Sequence, residues 1–303
     1  MTGVRDLGCE TVHYAWDNAL PPRLEIDSGE TVRFSCRDAF DGVYSRESTA
    51  VITRVAKGHP LTGPVAIRGA LPGDVLQVDV VDLVPGGFGV TTFVPDRGLL
   101  AGDYPKPYLK VWDLTGDRAQ LRPGVRVPLA PFLGVMGVAL AEPGEHSTIP
   151  PRAAGGNMDI KQLTKGSTLY LPVAVAGALF SCGDGHAAQG DGEVCITAIE
   201  TTMTATLRFT VRRDLRIAGP EFEAPSAGAL PGRHYVTTGI APDLMDATKQ
   251  AVRAMIAHLV NACGLTREEA YVLCSVAADL KISEVVDAPN WVVSSFLPLG
   301  LFG

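Results

Sequence analysis

Apolar and polar residues alternate with a period of two over long parts of this chain, the pattern of strands that bury one face. The clearest case runs from Met203 to Arg212. Met203, Ala205, Leu207, Phe209 and Val211 alternate there with Thr204, Thr206, Arg208, Thr210 and Arg212, which predicts a half-buried antiparallel strand. Val75–Val80 repeats the pattern, with Leu76, Val78 and Val80 on one face and Gln77 and Asp79 on the other. The turn formers Leu71-Pro72-Gly73-Asp74 precede it. Thr31–Phe34 and Val51–Val55 are shorter strand candidates, and Trp291-Val292-Val293 is another near the end. Prolines and glycines crowd Pro85–Pro107 and Ala218–Pro231, which predicts loops there.

A helical period appears only late in the chain. Leu244, Thr248, Ala251, Val252, Met255 and Leu259 share one helical face over Asp243–Ala262, with Asp243 the expected N-cap and Gly264 the expected stop. Thr266-Arg267-Glu268-Glu269 matches a capping box and predicts a second helix to about Ala277. These elements predict an α+β fold, mostly β. Residues 1–150 form its β-rich N-terminal part, and 151–303 a second β region with the C-terminal helices; the two are free to intertwine as one domain.

Composition narrows the class. With 303 residues, 46% of them hydrophobic and 19% charged, the chain can bury a large core and is not of the disordered type. A net charge of −7 removes the electrostatic case for nucleic acid or an anionic membrane as partner. No apolar run approaches membrane-spanning length, and Met1–Asp6 does not begin a signal peptide. Cys9, Cys36, Cys182, Cys195, Cys263 and Cys274 lie far apart with no C-x-x-C pair, which predicts free thiols and a cytoplasmic protein.

The candidate chemistry is concentrated in Pro150–Glu200. Gly155-Gly156-Asn157-Met158-Asp159 is followed by Cys182-Gly183-Asp184-Gly185-His186 and then Gln189-Gly190-Asp191-Gly192-Glu193. In extended backbone Asp184 and His186 would converge on one point, and so would Asp191 and Glu193. Carboxylate and imidazole together suit zinc or a similar divalent ion, which would polarise an acyl carbonyl and acidify a bound water. Glu193, long enough to reach past a ligand, is the candidate proton carrier, and backbone N–H groups of Gly155–Asn157 are candidate oxyanion donors.

Plainer readings stand beside these. Asp191 in a glycine-rich segment suits a turn, and a lone histidine such as His186 is often structural. Cys182 is either a buried small hydrophobe or the nucleophile of a thiol amidase, with Glu193 as base and Lys165 as helper. A non-catalytic β module with a calcium-ordered acidic loop is a further alternative. Trp112, Trp291 and Phe296 are read as core. No G-x-S-x-G elbow, P-loop or H-E-x-x-H helix is present.

The chain resembles the acetamidase/formamidase family. The resemblance rests on His59-Pro60-Leu61-Thr62-Gly63-Pro64 leading to Gly73-Asp74, on Gly134-Val135-Met136-Gly137, and on Gly155–Asp159. It continues through Gly183–Glu193, Asp243–Ala247 and Ala278–Ile282, in order along nearly the whole chain. It implies hydrolysis of a short aliphatic amide such as formamide or acetamide to the carboxylate and ammonia. It also implies a β-sandwich or barrel-like body with an α/β C-terminal portion, a cytoplasmic homo-oligomer built on dimers, and a divalent metal, zinc ahead of calcium. Carried over by residue, the metal region points to Asp159, Asp184, His186 and Glu193, with Asp38 a weaker candidate; of these, Glu193 is kept as the catalytic acid–base read above and the others as ligands. Gly156 and Asn157 are the candidate oxyanion residues, and His59 is left outside the site.

Overall fold

Phe34, Phe180 and Phe209 meet edge-on at the centre of the protein, with ring centroids 5.9, 6.1 and 4.9 Å apart. Phe34 and Phe209 come from one large sheet and Phe180 from another. Each ring is fully buried, worth roughly 1.5–3 kcal/mol apiece, and together they join the two sheets face to face. The computed structural model describes residues 3–52, 57–225 and 232–302.

Among those residues the first sheet has nine strands. Their order is Arg5–Leu7, Thr31–Cys36, Met203–Arg212, Val75–Pro85, Thr168–Pro172, Glu221–Ala224, His234–Ala241, Trp291–Pro298 and Asp279–Glu284. Met203–Arg212 pairs antiparallel with both Thr31–Cys36 and Val75–Pro85, so the N-terminal and C-terminal parts share this sheet. The second sheet runs Gly155–Asn157, Phe132–Gly137, Phe180–His186, Glu200–Thr201, Phe88–Phe93 and Tyr108–Asp113. Thr62–Ile67 also pairs with Phe180–His186.

Helix α1 (Leu244–Cys263) begins at Asp243, whose carboxylate accepts from Asp246 N–H, and stops at Gly264 in the left-handed region. Helix α2 (Arg267–Ala277) carries the full capping box of Thr266 and Glu269. Both helices pack on the first sheet's outer face. Strand alternation explains this: Val236 and Phe296 enter the inter-sheet core, while Tyr235 and Leu297 point outward to Met255, Leu259 and Ala270.

The fold is α+β and mostly β, as the periodicity indicates. Three expectations need correcting. Phe88–Phe93 is a strand inside the expected loop Pro85–Pro107, because its apolar positions sit on a sheet that is invisible locally. Glu221–Ala224 is a strand inside the expected loop Ala218–Pro231, held by pairing with Thr168–Pro172 on one side and His234–Ala241 on the other. Val51 and Ile52 form no strand, and the rest of that candidate lies outside the described residues.

Candidate active site

Phe180–His186 lies in the middle of the second sheet and is buried throughout. Its glycines explain its sequence. A Cβ on Gly183 would stand 2.7 Å from Pro60 O, and one on Gly185 would stand 2.6 Å from Met203 Cβ. That side of the strand has no room, so Asp184 and His186 point away from it into space left open by a third glycine. A Cβ on Gly134, on the adjacent strand Phe132–Gly137, would lie 2.4 Å from Asp159 Oδ1 and 2.5 Å from Asp184 Oδ2. The carbonyl of Gly134 accepts from the N–H of Met158 (3.0 Å), which folds Asp159 back toward the strand.

The cluster is dense. His186 Nε2 is 3.2 Å from Asp184 Oδ1 and 3.1 Å from Glu200 Oε2. His186 Nδ1 is 3.7 Å from Asp159 Oδ1, and Glu193 Oε1 is 4.0 Å from Nε2. Asp159 and His186 are 1% exposed, Asp184 and Glu200 3%, and Glu193 7%. His186 stands edge-on to Phe132 at 4.9 Å. Asp184, Asp159 and Glu193 adopt φ of 57°, 46° and 47°, a conformation costing non-glycine residues of order 1–3 kcal/mol each. Asp184 and His186 therefore converge as expected, but through a local kink rather than plain alternation.

Electrostatics follow from burial. Burial pushes the Asp159 carboxyl well above its ordinary value, and Glu193 and Asp287 add to it. Burial likewise raises Glu193, against the pull of His186. Glu200 rises to about 7 by burial, partly offset by His186. Burial opposes a charged His186, yet Glu200 and Asp184 outweigh it and hold the imidazole well above its usual range. Burial also acts to raise Asp184, but His186 and His59 overcome it and hold the carboxyl low.

Asp159 Oδ1 and Oδ2, Asp184 Oδ1, Glu200 Oε2 and both ring nitrogens of His186 are buried without a hydrogen-bond partner among the described residues. Buried acids left this way are costly unless a cation joins them. The spacing fits one. Two ligand atoms about 2.1 Å from a tetrahedral ion lie about 3.4 Å apart, close to the 3.1 and 3.2 Å found here. Two overlapping groups could hold a metal: Asp184, His186 and Glu200, or Asp159, His186 and Glu193.

The acids Asp159, Asp184, Glu193 and Glu200 form part of the wall of a cavity of about 870 Å³, together with Asn157 and Asp287. Asn157 Nδ2 donates to Asp287 Oδ2 at 2.6 Å. Asp287 N–H in turn donates to Glu284 Oε1 at 2.5 Å.

Several expected residues fall elsewhere. Asp38 closes its own turn, accepting from Phe40 N–H (2.9 Å) and Gly42 N–H (3.1 Å), and stands apart from the cluster. Asp191 does not converge with Glu193, because Gly192 and Glu193 both take positive φ. It instead pairs with Lys161 (3.0 Å) and Gln162 (2.9 Å). Gly156 lies against Trp16 and off the cavity wall, so of the two expected oxyanion residues only Asn157 lines it. Cys182 is fully buried in the inter-sheet core, its Sγ 3.9 Å from Cys36 Sγ, and burial pushes its thiol well up. Lys165 pairs with Asp82 on the surface. The thiol reading has neither an accessible nucleophile nor its helper. Trp112 and Phe296 are core, whereas Trp291 reaches the cavity wall.

Sequence reasoning missed Glu200, Asp287 and His59. Glu200 is the cross-strand neighbour of His186, and Asp287 arrives from the far end of the chain. His59 Nε2 is 3.9 Å from Asp184 Oδ2. For His59 alone a signal existed, its place in the His59–Pro64 motif.

A two-sheet β protein with a buried acid–imidazole centre on the wall of a deep cavity has the build of a hydrolytic enzyme. The chain belongs to the acetamidase/formamidase family, hydrolases of linear amide C–N bonds, whose sequence model matches residues 6–147 and 139–303. It is 30% identical over 247 residues to the acetamidase of Mycolicibacterium smegmatis, covering 60% of this chain and 61% of that protein. The chain thus spans about three fifths of that relative's length. It is 27% identical to the formamidase of Methylophilus methylotrophus, over 96% of this chain and 89% of the relative. The crystal structure of an acetamidase from Bacillus halodurans superposes with a TM-score of 0.91 at 34% identity, covering 98% of both chains. Membership in an enzyme family displaces the reading as a non-catalytic module. Among the described residues no helix is long and apolar enough to cross a membrane.

Proposed function

We propose that this protein hydrolyses a short aliphatic amide, formamide or acetamide, to its carboxylate and ammonia at a divalent-metal centre. The observation that carries the reading is the unpartnered Nε2 of His186, 3.1 and 3.2 Å from carboxylate oxygens of Glu200 and Asp184. Asp184, His186 and Glu200 would hold the ion, and Asp159 stands 3.7 Å from the other ring nitrogen of His186. An imidazole favours zinc, whereas calcium takes oxygen ligands. When bound, such an ion supplies a Lewis acid for the amide carbonyl and acidifies water.

The remaining chemistry falls to side chains. Glu193 lies on the cavity wall beside the cluster. It takes the proton of the attacking water and returns it to the leaving nitrogen, which departs poorly unless protonated. Burial, which raises its affinity for a proton, suits that exchange. Asn157, its Nδ2 committed to Asp287, is left with a side-chain oxygen that can accept from the substrate NH₂. A cytoplasmic homo-oligomer built on dimers completes the proposal.

The test combines metal analysis with ammonia release for the wild type, His186→Ala and Glu193→Gln. His186→Ala is expected to lose metal and activity together. Glu193→Gln is expected to keep the metal and lose about 100-fold or more in kcat. Near-wild-type turnover in both variants would overturn the assignment.

A further inference from the structure

We propose that the cavity selects amides whose acyl group carries a neutral, apolar body of about phenylacetyl size, in preference to formamide or acetamide. This rests on the amidase reading above and concerns the part of the cavity that the reaction leaves unused. A four-heavy-atom amide displaces roughly four waters, or about 120 Å³. The cavity holds about 870 Å³, which lies in the range of roughly 300–1,000 Å³ that takes drug-sized ligands.

Its walls suit such an occupant. The buried acids mark the deep end, and exposed Ile52, Lys57 and Arg97 mark the mouth. Between them stand Phe40, Tyr44, Tyr14, Ile149, Val286 and Trp291. Phe40 and Tyr44 meet edge-on at 4.9 Å, which holds both rings in place. Both phenol oxygens of this wall have a protein partner: Tyr14 Oη donates to Asp41 Oδ2 at 2.7 Å, and Tyr44 Oη accepts from Ile52 N–H at 3.1 Å. Lys57 Nζ lies over the Tyr14 ring at 5.9 Å, which leaves Phe40, Ile149, Val286 and Trp291 as the apolar surface of this wall. A carboxylate on the acyl group would lose its water against this apolar stretch, which disfavours it.

The experiment measures kcat/KM for ammonia release from acetamide, butyramide, hexanamide, phenylacetamide and succinamic acid. Each added methylene that enters the cavity is expected to raise kcat/KM about three- to fourfold. Phenylacetamide should exceed acetamide at least tenfold, and succinamic acid should fall below butyramide. Phe40→Ala is expected to lower kcat/KM for phenylacetamide at least fivefold more than for acetamide, the acetamide rate reporting that the variant is folded. Acetamide turnover with a flat or falling series, or equal losses on both substrates in Phe40→Ala, would overturn the inference and leave the amidase reading standing. No ammonia from any amide would overturn both.

Discussion

Gly134→Ala is the sharpest perturbation available, because it adds one methyl group to the space on which the site depends. The new Cβ would lie 2.4 Å from Asp159 Oδ1, 2.5 Å from Asp184 Oδ2 and 2.9 Å from His186 Cε1. Ordinary contact is about 3.5 Å, so two buried carboxylates must each retreat by about 1 Å. Gly183 and Gly185 close the opposite side of the strand to Asp184, so the carboxylates can move only out into the cavity and out of their present geometry around His186. A misplacement of about 1 Å costs on the order of 100-fold in rate, equivalent to about 2.7 kcal/mol of barrier. Overpacking of a core costs about 1–3 kcal/mol of stability, which a chain of this length can survive folded. The assay is ammonia release and metal content in parallel, with circular dichroism to confirm the fold. Gly190→Ala is the control: nothing lies within 4 Å of its added Cβ, and it should match the wild type. Wild-type turnover and metal content in Gly134→Ala would refute the idea that this glycine clears the ligand space.

Other outcomes test neighbouring parts of the structure. Cys182→Ala should retain ammonia release within a few-fold, since its thiol faces the core; loss of turnover in a folded variant would restore the thiol mechanism. Gly239→Ala places a Cβ 1.8 Å from Ala247 O and 2.6 Å from Ala251 N, so α1 must lift from the sheet. Urea denaturation should show a loss of about 3 kcal/mol or more. Glu221 sits outside the site, bonded to Tyr235 Oη, and burial raises its carboxyl from 4.5 to about 7 against the pull of that bond. Below pH 4.5 it is protonated whether folded or not; between there and about pH 7 only the unfolded chain ionises. Stability should therefore fall by about 3 kcal/mol as pH rises through that window. Glu221→Gln should flatten this slope in thermal melts, and an unchanged slope would show that other groups produce it.

Local chemistry determined much of this protein before any coordinates. The period-two run at Met203–Arg212 became a strand over those same residues, because one buried face and one open face leave the backbone little choice of register. The caps at Asp243, Gly264 and Thr266 were equally legible, since capping bonds join residues only a few positions apart. Asp184, His186 and Glu193 could be singled out by type and closeness along the chain. Tertiary structure alone decided how they meet. Asp191 shares their segment yet turns to Lys161, while Glu200 joins His186 across two strands and Asp287 comes from about a hundred residues further on. Sheet pairing carries no local period to read, so these partners could not be paired from spacing. The glycines tell the same story: nothing in the local sequence shows that Gly183 and Gly185 lie on the side of a strand with no room for a side chain.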